Sequence, residues 1–308
     1  MSKHRAILIA GPTASGKSAA VLKLAEALDG VVINADSKQV YRELRVLSAR
    51  PSKQDEARVP HLLYGVVPAA EAYSAGRWLE DVRDAISEVE GQRKLPIITG
   101  GTGFYFKALL EGLSPVPDIP EPVRERWRRA AVEKSPEELH ALLREKDPAM
   151  AEQLRPTDPQ RIVRALEVFD ATGRSLAEWQ QEAGEPLLKE NEVVRIFLTR
   201  PRDELYARIN ARFNTMLERG ALEEVEALAR QALDPDLPAM RAHGVKPLMD
   251  LLSGSIAREE AVERVKTDTR RYAKRQETWA KSNMIAWNHI LKKDSESFVS
   301  NILSFIDV

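Results

Sequence analysis

The chain has 308 residues, 43% apolar and 30% charged, with a formal net charge of −1; this is the balance of a folded globular protein and excludes a disordered one. It has no cysteine, which excludes disulfides, thiolate catalysis and cysteine-bound zinc and suits a reducing compartment. The five histidines are scattered, without HExxH-like spacing, so the pattern speaks against a zinc site.

The opening residues, MSKHRAILIAGPTASGKS, give a short basic lead and a few apolar residues before glycine and proline intervene. That is too short for a signal peptide, and no segment reaches the roughly 20 apolar residues of a membrane span. The expectation is a cytoplasmic protein with no membrane partner. Ala6–Ala10 reads as a short buried strand, and Ser18–Leu28 as a helix with Ala20, Leu24 and Leu28 on one face. Val31–Ala35 reads as a second strand ending on Asp36. Leu95–Thr99 reads as a third, followed by Gly100, Gly101 and Gly103 and a helix over Phe104–Glu111. Strands alternating with helices predict an α/β fold, a parallel sheet covered on both faces.

Ser114–Pro122 carries four prolines (Pro115, Pro117, Pro120, Pro122) and reads as a stiff linker. From Val123 to about Trp179 only helices are predicted, with a start at Ser135-Pro136-Glu137-Glu138 and ends at Asp147-Pro148 and Thr172-Gly173. The domain plan is therefore a core of residues 1–115 and 190–308, with a small all-helical domain, 116–189, inserted into it. Val193–Thr199 reads as a fourth strand. Helices are predicted from Arg202 through Ala232 and from Ile256 to Trp279. Arg264–Lys281 concentrates seven basic residues against Asp268 and Glu277, which is either a solvated helix face or a patch that meets phosphates.

Gly11-Pro12-Thr13-Ala14-Ser15-Gly16-Lys17-Ser18 fits GxxxxGK[ST] between a strand and a helix, the setting that gives the motif its meaning. Glycines let the loop amides turn inward at an anion, and the helix N-terminus adds its positive end. Lys17 adds a full charge and the Ser18 hydroxyl can ligand Mg²⁺. The motif predicts a bound pyrophosphate or polyphosphate. Asp36 is the carboxylate placed at a strand end beside the loop, since the third strand ends without one. Kinase, ATPase and pyrophosphate-releasing transferase all stay open on these residues.

Further segments narrow the field. NADSKQVY (Asn34–Tyr41), ARPS (Ala49–Ser52), AYSAGRW (Ala72–Trp78), GGTGFYFKALLEGLSP (Gly100–Pro115), DPQRIVRALEV (Asp158–Val168) and TRRYAKRQETW (Thr269–Trp279) follow the phosphate loop in that order. Together they resemble the tRNA dimethylallyltransferase (isopentenyltransferase) family up to about Trp287. The resemblance implies a P-loop NTPase-like core and transfer of a dimethylallyl group from dimethylallyl diphosphate to N6 of the adenine immediately 3′ of the anticodon, in tRNAs reading U-starting codons. Pyrophosphate would be released, Mg²⁺ would be the cofactor, and the enzyme would act as a monomer on the tRNA anticodon stem-loop. Asp36, Thr13 and Thr102 match the family's catalytic positions. Gly11 to Ser18 and Arg212 match its diphosphate contacts, Arg212 having a plain surface helix charge as its alternative reading. Asp36, Ser37, Lys38, Gln39, Thr102, Arg124, Gln160, Arg161, Ile162, Val163 and Arg164 match its tRNA contacts. Ser48, Arg50, His243 and Val245 depart from the commoner family residues. The alternative function is a small-molecule P-loop kinase using ATP, which leaves Gln160–Arg164 and the basic C-terminal helix without a role.

Overall fold

The computed structural model describes residues 4–291, 300 and 302–304. The chain divides into two compact units, residues 1–110 with 187–308, and residues 111–186. These limits lie a few residues from the expected 116–189. The N–H groups of Leu187 and Leu188 donate to Leu109 O at 3.0 and 3.2 Å, so the returning chain joins the first unit before residue 190.

In the first unit the order is β1 (Ala6–Ala10), α1 (Lys17–Ala27), β2 (Gly30–Asn34), α2 (Lys53–Arg58), β3 (His61–Leu62), α3 (Ala75–Gly91), β4 (Leu95–Gly100) and α4 (Gly103–Glu111). The second unit holds α5 (Glu121–Glu133), α6 (Pro136–Lys146), α7 (Pro148–Gln153), α8 (Pro159–Thr172) and α9 (Leu176–Trp179). The first unit then resumes with β5 (Val193–Thr199), α10 (Arg202–Glu218), α11 (Ala221–Ala229), α12 (Val245–Leu252), α13 (Arg258–Asn283) and β6 (Asn288–Leu291). Among the described residues the strands form one sheet in the order β3-β2-β4-β1-β5-β6, every pairing parallel. The fold is α/β with a P-loop NTPase-like sheet flanked by helices and a helical insertion, as the sequence implied.

The central strands are buried from end to end, AILIA in β1 and GVVIN in β2, because helices cover both faces of a parallel sheet. On one face lie Val21 and Leu24 of α1, in the cluster with Ile7, Ile9 and Ile97. On the other lies α3, which starts at the Ser74 cap and buries Trp78, Val82, Ala85, Ile86 and Val89. That i, i+4, i+7, i+8, i+11 spacing is one helical stripe. Each large apolar side chain so buried contributes about 1.5–3 kcal/mol. The Trp78 ring stacks on Tyr105 with centroids 4.3 Å apart, and its indole N–H donates to Asn34 O at 2.9 Å. α3 is thereby fixed to the end of β2, one residue from the turn to Asp36.

The predicted helix Arg202–Ala232 is two helices. It breaks at Gly220, whose φ of 93° is left-handed, a conformation glycine adopts at little cost. The edge strands β3 and β6 were not predicted; both are short, and β6 is mostly exposed. In the second unit the proline linker ends at Pro120, and Pro122 lies inside the first turn of α5, where its missing N–H costs nothing. Ser135 closes a capping box on Glu138, and Gly173 ends α8. Trp127, Leu139, Leu143, Ile162 and Leu166 form this unit's own core.

Register brings three strand ends level: Ala10 pairs with Gly100, and Asn34 with Thr99. The phosphate loop, Asp36 and the glycine turn at 100–103 therefore leave the sheet side by side at the carboxyl ends of its strands. In open α/β sheets, ligands bind at this edge.

Candidate active site

The loop from Gly11 to Ser18 is held from outside by side chains the sequence did not single out. Arg200 Nε donates to Ser15 O and Arg208 Nε to Ala14 O, both at 3.0 Å. Lys17 Nζ donates to Gly11 O at 2.6 Å and Pro12 O at 2.7 Å. Gly11, Pro12 and Ser15 form the buried side of the loop. Thr13, Ala14, Gly16, Lys17 and Ser18 line a cavity of about 500 Å³. No side chain caps α1, so its first amides are left for an anion. Desolvation lowers the Lys17 pKa to about 7, against the attraction of Asp36 and with the repulsion of Arg212.

Asp36 lines the same cavity. Asn34 sets its backbone, accepting from Asp36 N at 2.9 Å and donating to Asp36 O at 3.1 Å. One carboxylate oxygen accepts from Lys38 N at 2.9 Å. The other lies towards Gly101. Thr102 Oγ1 accepts from Ser37 N at 2.9 Å, and Thr102 N donates to Ala35 O at 3.2 Å. Thr102 thus fixes the segment that carries Asp36.

α10 runs along the border between this cavity and a smaller one of about 80 Å³. Arg208, Ala211 and Thr215 face the first; Ile209, Phe213 and Met216 face the second; Arg212 lines both. The cavities also share Thr13, Ala14, Asp36 and Ser48. Leu47, Ala242 and Val265 complete an apolar end to the smaller one. His243 and Tyr272 line it with ring centroids 4.4 Å apart. Burial, then Lys38 and Arg275, lower the His243 pKa to about 4, so this imidazole is neutral near pH 7. Burial also lowers the pKa of Arg212, with Asp36 opposing and Arg208 adding. A guanidinium keeps its charge through such a shift.

The sequence-named residues thus fall into two groups. Thr13, Ala14, Gly16, Lys17 and Ser18 of the loop line one cavity with Asp36, Gln39 and Arg212, whereas Gly11, Pro12 and Ser15 do not, and Ser37 and Thr102 are hydrogen-bonded to each other beside Asp36. Lys38 lines the smaller cavity but gives its ammonium to Pro238 O at 2.7 Å, and Gln39 Nε2 donates to Ser48 O and Ala49 O at 3.0 Å. Arg124, Gln160, Arg161, Ile162, Val163 and Arg164 belong to the helical unit. There Gln160, Arg161 and Arg164 are exposed and Val163 is half-buried, whereas Ile162 is 0% exposed in the core. Arg124, Arg128 and Arg164 all attract Glu167, whose pKa is raised chiefly by burial. Two of the named arginines therefore converge on one carboxylate.

Gln276 of α13 escaped the sequence reading, although it lies in a segment that carried the resemblance. Its Oε1 accepts from Thr13 N at 2.9 Å and its Nε2 donates to Gly101 O at 2.8 Å. Arg200 and Arg208 also went unnoticed, because an arginine serving a carbonyl far away in the chain has no local signature.

Fold and site together define a P-loop α/β protein whose anion cavity opens beside a strand-end carboxylate and a small apolar pocket. The family description IPP transferase matches residues 39–283, and the description isopentenyl transferase matches residues 4–72. The chain is 52% identical over 303 residues to the tRNA dimethylallyltransferase of Parvibaculum lavamentivorans, covering 98% of this chain and 96% of the relative. The crystal structure of the tRNA isopentenylpyrophosphate transferase of Bacillus halodurans matches with a TM-score of 0.70 at 31% identity, over 97% of this chain and 94% of that one. A eukaryotic dimethylallyltransferase described as acting on tRNA matches with a TM-score of 0.74 at 29% identity, over 89% of this chain and 69% of that one. The chain belongs to the IPP transferase family. The small-molecule kinase alternative is not favoured by these matches.

Proposed function

We propose that this protein transfers the dimethylallyl group of dimethylallyl diphosphate to N6 of the adenine immediately 3′ of the anticodon in tRNAs reading U-starting codons. The observation that carries the reading is the pair of adjoining cavities, one polar and cation-lined, the other with an apolar end, meeting at Thr13, Asp36 and Arg212. An allylic diphosphate has the same two halves.

In the reaction the adenine N6 lone pair forms a bond to C1 of the allyl group, and the C1–O bond breaks with its electrons going to pyrophosphate. The N6 proton passes to the Asp36 carboxylate. Lys17, Arg212 and the loop amides stabilise the negative charge that develops on the leaving oxygen. Thr13, in the loop and in both cavities, stands beside the breaking bond. The adenine must leave its stack to reach a recessed carboxylate, and the helical unit with Gln160, Arg161, Arg164 and Arg124 supplies RNA contacts outside the cavity.

Mg²⁺ fits the donor present for it: the Ser18 hydroxyl is a hard oxygen ligand in the cavity, which leaves the Asp36 carboxylate free to take the proton. No cluster of three or more acidic, histidine or cysteine groups that could hold a metal occurs among the described residues, so diphosphate oxygens and water would complete the shell. When bound, the ion would neutralise diphosphate charge. No described helix is long and apolar enough to cross a membrane, and the reading is of a monomer working in the cytoplasm.

The test is incubation of the protein with Mg²⁺, dimethylallyl diphosphate and unmodified tRNA, followed by mass spectrometry of the digested nucleosides. An adenosine heavier by one dimethylallyl group, at the position 3′ of the anticodon, is the expected product. Unchanged RNA with ATP turned over on a small acceptor would move the protein to the kinases.

A further inference from the structure

We propose that Gln276 is a positioning residue that holds the phosphate loop and the turn after β4 in register, so that the two substrates meet at bonding distance. The inference rests on the transfer reading above. A carboxamide donates and accepts at the same end, and here both capacities are used across the site: Thr13 N–H to Oε1 at 2.9 Å, Nε2–H to Gly101 O at 2.8 Å. The two partners lie in the segments that follow β1 and β4, 263 and 175 residues from Gln276 in the chain. Tyr272, one turn earlier on α13, lies beside Gln276 and Thr102. Thr102 in turn holds Ser37, the neighbour of Asp36. One helix face therefore connects the leaving-group loop to the segment bearing the proton acceptor.

Gly101 gains a reason from this contact. A Cβ there would stand 2.2 Å from Gln276 Nε2, so any larger residue pushes the amide off its carbonyl. The second glycine of the GGTG turn makes room for the strut. The Thr13 N–H is thereby given to Gln276, and the anion contacts of the loop fall to the later amides and Lys17.

Gln276→Ala, Gly101→Ala and their combination test this in the full chain. Each single change should lower the single-turnover rate roughly ten- to a hundredfold, the cost of misplacing reactants by about an ångström. Affinity for a non-reacting thiodiphosphate analogue and for tRNA should stay within about twofold. The double variant should be no slower than the slower single, because both changes remove one contact. Gln276→Met, which keeps the length and lacks both the acceptor and the donor without adding charge, should match Gln276→Ala; if Gln276→Ala melts early, the cycle is run with Gln276→Met. Multiplied losses in the double variant, a Gln276→Ala protein at native speed, or a loss carried wholly by weaker binding would each refute the strut. Hydrogen exchange of the Thr13 amide reads the contact without turnover: it should quicken in both single variants, and unchanged exchange overturns the proposal. Native protein inactive on tRNA would count against the transfer reading alone.

Discussion

In the α/β unit, Lys17 gives its protons to loop carbonyls, and Arg212 faces two cavities with no ion pair among the described residues. In the helical unit, Arg161 lies 3.4 Å from Asp158, Arg164 3.6 Å from Glu167 and Arg124 4.0 Å from Glu121. The first set is desolvated and has no carboxylate in ion-pair contact, only the attraction of Asp36 across the cavity, an arrangement that costs stability unless a multiply charged anion enters. The second set is solvated and already neutralised by i, i+3 neighbours, in pairs that contribute little. Exchanging such a carboxylate for a phosphate changes the energy modestly and depends strongly on salt. On the proposed reading, one unit stabilises a leaving group and the other holds a polyanion loosely enough to release it.

The largest expected effect lies where the α/β unit does chemistry. Asp36→Asn keeps the acceptor for Lys38 N and removes the proton acceptor. Its rate should fall roughly 10²- to 10⁴-fold, the usual contribution of general-base catalysis. Affinity for tRNA should be unchanged in a filter-binding titration. Equal losses in rate and affinity would make Asp36 an RNA contact and erase the contrast between the units.

A medium effect should follow from Lys17. Burial, the largest influence, lowers its pKa to about 7, against an ordinary 10.5. Diphosphate binding needs the ammonium, so above pH 7 the free protein must first take up a proton. Affinity for a thiodiphosphate analogue should therefore fall as pH rises past about 7, by up to about tenfold per unit. Lys17→Arg, which stays protonated, should flatten the profile. A native profile already flat between pH 7 and 9 would mean that Lys17 is not desolvated as its surroundings indicate.

The sheet and the phosphate loop were legible because local rules dictate both. Continuous apolar runs such as AILIA and LPIITG mark strands buried on two faces, and GPTASGKS states its own geometry. The edge strands β3 and β6 left no such trace, since two or four half-exposed residues carry no period. The break at Gly220 was hidden by apolar spacing that continues across it. In the site, Asp36 was marked by its place at a strand end before resemblance gave it a role, Arg212 came from resemblance alone, and the structure places both in one cavity. Ile162, named in the same way, points into the helical core, because its place on α8 puts it on the face opposite Arg161 and Arg164. Gln276, Arg200 and Arg208 were illegible for one reason: each acts on a carbonyl or amide far away in the chain, and only the fold makes them neighbours.

The smallest expected effect belongs to the helical unit. Arg161 and Arg164 project from α8 into solvent, and each already has an acidic neighbour. Arg161→Ala or Arg164→Ala should weaken tRNA binding only a few-fold, and each should reduce the slope of log affinity against log salt by about one phosphate contact. The rate at saturating tRNA should stay at its native value, because neither guanidinium shares the cavity that holds Asp36 and Lys17. Removing Glu167 sharpens the point, since it is the carboxylate on which Arg124 and Arg164 converge. Glu167→Gln keeps the shape, frees Arg164 and removes one of the carboxylates that attract Arg124, which keeps Glu121, so tRNA affinity at low salt should rise slightly and its salt slope steepen. A fall in affinity would mean that Glu167 aims the arginines rather than neutralising them, and that this unit, like the other, positions its charges in advance.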